Sequence, residues 1–314
     1  MIPEKPFFQR RPVIWCTALF CCLIWGVSYP VVKLSYQLMQ IASDDLAGKL
    51  LFAGIRFTAA GCCTLLFARL VRRQAIRPPR AAWVGIALLG LLQTVLQYLF
   101  IYIGLAHTQS AKTSVLNQAG VFLLVLVTPL VFRQERLNAK KILGCLLGLA
   151  GIFLINWHAG LDWQFRLLGE GFVVLSSSAA AAGYLVSKKL ASSRDPLLLT
   201  GWQQLFGGLV LLVPGLAGGG KIALDRPAAL LALAFLSVSV ALVYILWLML
   251  LKHNPVSEIA VFKFGVPVVG MLTSSLILHE QVFAWNSLLA LLLVSAGIVV
   301  VNGRMSRRAP RPGP

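Results

Sequence analysis

Three ionisable side chains stand where an apolar run leaves least room for charge. Lys263 falls about eight residues into the run 255–278, Arg56 about eight into 48–70, and Glu258 near the start of the former. A Lys or Arg at the middle of a spanning helix costs about 2.5–3.5 kcal/mol on insertion scales, so each calls for a partner or a wet cavity. With Lys33 at the end of the first run, the charge counted within the runs is Lys33, Arg56 and Lys263 against Glu258, a formal excess of two positives that favours a substrate carrying a carboxylate. Glu258 is the candidate for proton coupling, or for an ion pair with Lys263 or Arg56. Aromatic surface is available from Trp25, Tyr29, Tyr184, Tyr244 and Trp247, and Gln93 and Gln97, four apart, share one helix face. An apolar pocket with a few convergent polar groups is what a small-molecule site requires.

An internal repeat says how these groups come together. Residues 105–137 and 250–282 align without a gap at an offset of 145, matching Gly120 with Gly265, Thr128 with Thr273 and Glu135 with Glu280. An offset of 147 matches Gly54 with Gly201 and Gly61 with Gly208. The first register pairs Asn117 with Phe262 and Gln118 with Lys263, so the two copies are expected to bring both positions to one central chamber. Pro267 removes the amide that would bond to the Lys263 carbonyl, and Pro30 does the same to Gly26, so bends are expected in both spans.

The chain is 58% hydrophobic and 12% charged, with a mean hydropathy of +0.82, which places it outside the range of soluble domains. Ten runs are long enough to cross a bilayer: about 13–33, 48–70, 82–104, 109–132, 139–157, 169–190, 198–216, 228–251, 255–278 and 283–302. The fold class expected is all-α, with ten transmembrane helices. The first run shows no cleavage signal and reads as a retained span. With the N-terminus placed in the cytoplasm, the tails and the loops around Arg69–Arg80, Arg133–Lys141, Lys188–Arg194 and Lys252 are basic. The other side holds only Lys49, Lys112, Arg166, Lys221 and Arg226. The net charge of +18 therefore follows the positive-inside rule and calls for anionic lipid, not nucleic acid. Five spans per copy is an odd number, so the second copy is inverted.

Other motifs carry less. Gly215–Lys221 (GLAGGGK) fits a phosphate loop up to the position where Ser or Thr is needed, but Ile222 stands there and no strand precedes it. The six cysteines all fall in spans and read as packing residues, and the four histidines, His107, His158, His253 and His279, fall at span ends. Gly144, Gly148 and Gly151 share one face of the fifth span for close helix packing, a face that could also join two copies as a homodimer. Glu135 and Glu280 occupy equivalent hairpins, where the expected role is to cap amides or pair with Arg136 and neighbours, with gating as the lesser reading. Asp44–Asp45 is the one adjacent acidic pair that a membrane enzyme acting on a lipid-linked substrate would need, and no histidine is near it in sequence. No cofactor or metal is expected.

Trp25-Gly26 with Pro30 and Lys33, Gly54-Ile55-Arg56-Phe57 with Ala59 and Ala60, and Glu135-Arg136-Leu137 together resemble the drug/metabolite transporter superfamily, in particular its ten-span EamA-type members. Pro255, Ser257, Pro267, Glu280 and Gly297 extend the resemblance through the second half. It implies two inverted five-helix repeats, a central cavity lined mainly by spans one, three, four, six, eight and nine, and export of small metabolites, often amino acids, by alternating access. In that family an arginine at the place of Arg56 also ties helices together. Phe122 stands where the first repeat would carry the counterpart of Pro267, and Gln281-Val282 replace the usual Arg-Leu.

The expected organisation is a tail over 1–12, repeats over 13–157 and 169–302, and a basic tail over 303–314, with both termini in the cytoplasm of an inner (plasma) membrane protein. The expected function is secondary export of a carboxylate-bearing small molecule, with the membrane enzyme as the alternative. Expected substrate contacts are Trp25, Tyr29, Arg56, Gln93, Gln97, Asn117, Gln118, Tyr184, Tyr244, Trp247, Phe262 and Lys263, with Glu258, Pro30 and Pro267 for coupling or gating.

Overall fold

A computed structural model describes residues 6–71, 73, 75–108, 113, 116–133, 135–156, 164–278 and 285–302. Lys112, His158, His279, Glu280, Gln281, Val282 and the tail 303–314 lie outside the described residues, as does the start of the first tail. Among the described residues, apolar runs with little charge fold into ten helical rods, because a helix satisfies its own backbone polar groups where lipid offers none. They are α1 (Arg11–Leu38), α2 (Leu46–Leu70), α3 (Trp83–Gly90, a π-helical Leu91–Leu96, then Gln97–His107), α4 (Ala119–Val131) and α5 (Ala139–Asn156) in the first half. The second half has α6 (π-helical Leu167–Gly171, then Phe172–Ala191), α7 (Pro196–Ala217), α8 (Pro227–His253), α9 (Val256–Ala260, a 3₁₀ turn Val261–Phe264, then Gly265–Leu278) and α10 (Trp285–Asn302). Six of the ten are long and apolar enough to cross a membrane on length and composition alone, and Ala119–Val131 and Leu288–Asn302 are shorter apolar helices. Large apolar side chains such as Leu130, Leu231 and Leu276 cover the outside, where lipid would meet them.

Local signals set the starts. Asp45 caps α2 by accepting from Gly48 N at 2.7 Å, and Asp195 caps α7 by accepting from Leu197 N at 2.7 Å with Pro196 in the first turn. The acidic pair that an enzyme would need is therefore in part a helix cap. Pro30 lies inside an α1 that runs unbroken from Arg11 to Leu38, so the bend expected at that proline does not interrupt the helix.

Packing between the halves follows one rule. α2 lies on α7 and α5 on α10, each helix against its own counterpart. The remaining pairs come in twos: α1 on α9 matches α6 on α4, α1 on α8 matches α6 on α3, and α2 on α8 matches α7 on α3. Along α2 the residues Leu51, Gly54, Thr58, Gly61 and Leu65 meet Gly215, Leu212, Gly208, Leu205 and Gly201 in turn, so the two helices run antiparallel. Gly144 and Gly151 likewise meet Gly297 and Ala290 on α10. Counterparts that pack antiparallel are related by a two-fold axis across the helices, and the repeat is inverted. The glycine pairs singled out by the 147 offset lie at this axis: a Cβ on Gly61 would stand 2.4 Å from Leu205 N, and one on Gly208 would stand 2.4 Å from Thr58 N. The glycine face of α5 is occupied by α10 and by Phe264 of the same chain, not left free for a second copy. Gly215–Lys221 ends α7 against the start of α2, with Gly219 at φ +73 turning the chain, which accounts for the phosphate-loop look-alike without a nucleotide.

Candidate functional site

Lys263 sits where α9 is not an α-helix. Pro267 cannot donate to its carbonyl and the proline ring crowds it, and the 3₁₀ turn Val261–Phe264 precedes the restart at Gly265. From this break the ammonium donates to the Tyr184 hydroxyl. It lies 4.0 Å from the centre of the Tyr184 ring, 4.7 Å from that of Trp25 and 5.7 Å from that of Trp247. The rings come from α6, α1 and α8, so both repeats build the cage. Trp25 packs edge-on to Trp247 at 5.0 Å and to Tyr244 at 6.1 Å, while Tyr184 tilts against Trp247 at 6.5 Å. Cation–π contacts of this kind contribute up to about 2 kcal/mol when desolvated. Among the described residues no acid pairs with Lys263.

The same rings line a small cavity with Gln93, Ser187, Thr200, Gln203, Leu248 and Leu251, which has room for about one water molecule. Gln93 comes from the π-helical turn of α3, a geometry common at functional sites. Gln93 Nε2, Thr200 Oγ1 and Gln203 Oε1 are buried with no hydrogen-bond partner among the described residues. Such groups are costly to leave unpaired and are what a polar guest would satisfy. The expected cavity walls were α1, α3, α4, α6, α8 and α9. Here α7 contributes Thr200 and Gln203, and α4 and α9 are not among the walls.

Of the expected contacts, Trp25, Gln93, Tyr184, Tyr244, Trp247 and Lys263 come together. Tyr29 and Arg56 do not line the cavity: Tyr29 is exposed, and Arg56 is buried with its guanidinium carbon 5.1 Å from the centre of the Phe57 ring. Gln97 is not in the cavity wall; its carbonyl accepts from Ser176 and its Oε1 is buried unpaired. Phe262 belongs to the core, fully buried and edge-on to Trp15 at 5.1 Å, because the 3₁₀ turn sends it away from Lys263. Gln118 is buried at the start of α4, and Asn117 is half-buried beside it. The groups around Lys263 are Tyr184, Trp25 and Trp247, and neither Asn117 nor Gln118 lines the cavity, so the chamber is built on the lysine side of the 145 register. Glu258 forms no ion pair with Lys263 or Arg56. Its charged neighbours are Lys141, Glu135, Lys188 and Arg11, at the basic end of the bundle.

Glu135 organises that end. Its carboxylate accepts from Lys188 Nζ at 2.8 Å, from Val256 N at 2.7 Å, and from Ser257 N and Oγ at 3.2 and 2.9 Å. Lys188 also donates to the Asn254 carbonyl at 2.8 Å. A side chain from the α4–α5 connection thus caps the first turn of α9, where backbone amides are unsatisfied and the helix dipole favours an anion. It does cap amides, as expected, but on another helix and with Lys188 in place of Arg136. Burial pushes the Glu135 carboxyl up, yet the Lys188 ammonium and the Val256 and Ser257 donors hold it below its ordinary range. The contact with Val256 spans 121 positions and has no local signal in the sequence.

Residues 13–157 and 167–303 each match the EamA-like transporter family. The chain belongs to that family. It is similar to the uncharacterised transporter YvbV of Bacillus subtilis, 29% identical over 90% of this chain and 89% of the other. It is also similar to a probable amino-acid metabolite efflux pump of Escherichia coli, 25% identical over 94% and 97%. A solved crystal structure shares the fold with a TM-score of 0.72 at 18% identity, covering 90% of this chain and 98% of that one. The EamA-type assignment within the drug/metabolite transporter superfamily holds for this multi-pass membrane protein, and the family is one of transporters.

Proposed function

We propose that this EamA-type chain is a secondary exporter of a small amphipathic metabolite bearing a carboxylate, an amino acid or a related compound, working by alternating access. The observation that carries this reading is the Lys263 ammonium, caged by Trp25, Tyr184 and Trp247 at the break in α9 with no acid beside it among the described residues. Rings from both repeats surround it, so a rocking of one bundle on the other would remake the cage from the opposite side. The relatives named as amino-acid metabolite efflux pumps support the substrate class. The Glu135 network ties α4, α6 and α9 at the basic end, which this reading places in the cytoplasm, and the tie would open when that side does. Glu258, next to the same network, is the candidate for proton coupling.

Counterflow of radiolabelled amino acids in proteoliposomes tests both points. Lys263→Ala is expected to lower uptake at least about tenfold, equivalent to about 1.4 kcal/mol of transition-state binding. Uptake at the wild-type level would reject the site. Glu258→Gln is expected to flatten the pH dependence of uptake, and an unchanged profile would remove the coupling role.

A further inference from the structure

Three polar side chains in the wall of the small cavity are not used by the Lys263 cage. Gln93 and Gln203 are 2% exposed and Thr200 is fully buried, and Gln93 Nε2, Gln203 Oε1 and Thr200 Oγ1 have no hydrogen-bond partner among the described residues. Close packing brings their helices together at this point. A Cβ on Gly90 of α3 would stand 2.9 Å from the Gln203 carbonyl of α7, and one on Gly207 of α7 would overlap Thr94 of α3. Gln93 therefore lies on the turn of α3 that packs on the Gln203 turn of α7. Gly183 of α6 admits the Gln93 side chain, since a Cβ there would collide with Gln93 Cγ. Trp25, Tyr184 and Trp247 belong both to this wall and to the cage around the ammonium, so the two compartments adjoin. The 147 register sets Gln203 opposite Arg56, so the second copy carries a neutral amide where the first carries a cation.

A glutamine amide both donates and accepts, and so does a threonine hydroxyl. A guest that meets all three must therefore offer a donor and an acceptor of its own. No charged side chain is in the cavity wall, so a second carboxylate or an ammonium would be buried there without a counter-charge. The cavity has room for about one water molecule, which a hydroxyl matches and a carboxamide exceeds. We propose that Gln93, Thr200 and Gln203 form a hydroxyl-binding subsite that selects, among carboxylates held at Lys263, those that carry a hydroxyl group. The subsite rests on the carrier reading above and narrows its cargo. Ser187, Leu248 and Leu251 extend the cavity towards the end where Lys188 meets Glu135, so the hydroxyl is held on the basic side of the cage.

Serine and 2-aminobutyrate differ by a hydroxyl in place of a methyl group, so their binding to the purified full chain, followed by calorimetry and thermal shift, tests the assignment. Wild type is expected to bind serine about tenfold or more tightly, because a site built to hydrogen-bond a hydroxyl rejects the analogue that lacks it. Thr200→Val and Gln203→Met should each bring serine down to the level of 2-aminobutyrate. Each removes an unpaired buried polar atom, so each should also raise the melting temperature without ligand. A merely structural role would lower that temperature and leave the ratio of the two probes intact. The subsite is overturned if wild type binds the probes equally or binds neither, as a site for a fixed water only would, or if the variants keep the serine preference. Lys263→Ala should weaken both probes alike and keep their ratio. Undiminished binding of both probes in that variant would sink the carrier site, while a surviving serine preference would uphold the hydroxyl subsite.

Discussion

Glu135 holds one turn of α9 and one lysine of α6 with a single carboxylate, and its removal would leave Lys188 with only the Asn254 carbonyl to accept from it and no counter-charge. Glu135→Gln is expected to destabilise the bundle by about 3 kcal/mol, because Lys188 would remain largely buried beside a neutral amide. The pH sign follows from the direction of the shift. A carboxyl held below its unfolded value contributes stability that is fully present above that value, and loses it as pH falls through the folded one. Melting temperature in detergent should therefore drop on acidification below about pH 4 in wild type, and less so in Glu135→Gln. Glu258 and Lys188 face the same network and are titrated in the same series through Glu258→Gln and Lys188→Met. An acid limb of equal depth in Glu135→Gln would assign the effect to another group.

At the scale of elements, two kinds of helix do different work. α2 and α7 are bound as a rigid antiparallel pair through glycines whose missing side chains admit the opposing backbone. α9 is interrupted at the lysine it presents. Gly61→Ala would bring a Cβ to 2.4 Å from Leu205 N and 2.8 Å from the Gly201 carbonyl, neither of which can yield without moving a helix. A loss of about 2 kcal/mol or more is expected in denaturant or thermal unfolding. Gly265→Ala is the control: its new Cβ would have only Cys22 Cβ at 3.9 Å for company. Equal stability of the two variants would refute the close-packed axis. The pairing of Gly54 with Gly201 and Gly61 with Gly208 was legible in the sequence as a repeat, but its meaning was not. An offset reveals equivalence, and only the antiparallel contact shows that the equivalent glycines make one interface. Gln93 and Gln97 show the reverse. Their spacing placed them on one helix face, yet Gln93 reaches the cavity from a π-helical turn and Gln97 does not line it, since the identity of a facing helix is not written in the spacing.

For the whole molecule the governing fact is the two-fold relation between halves that enter the membrane from opposite faces. All six cysteines lie within helices, so a thiol introduced in a loop reports sidedness. Arg194→Cys and Lys221→Cys lie at opposite ends of α7, and the native cysteines of the described helices are buried or on lipid-facing surface. A membrane-impermeant maleimide applied to intact cells is expected to label the variant at 221 and to spare the one at 194 until the membrane is opened. The opposite pattern would reverse the orientation and with it the side on which the proposed opening at Glu135 occurs.

Composition alone determined that this chain lives in lipid, since no soluble fold can hide so much apolar surface with so little charge. The odd number of spans per copy determined that the copies oppose each other, and the energetic cost of a cation at depth drew attention to Lys263 and Arg56. Which groups answer those cations was decided only by the tertiary structure. The rings around Lys263 come from three helices far apart in sequence, the ring against Arg56 is its own neighbour Phe57, and the carboxylate that caps α9 comes from a loop 121 residues earlier. Contacts of that kind have no period and no local signature, because they exist only once packing has chosen which faces meet.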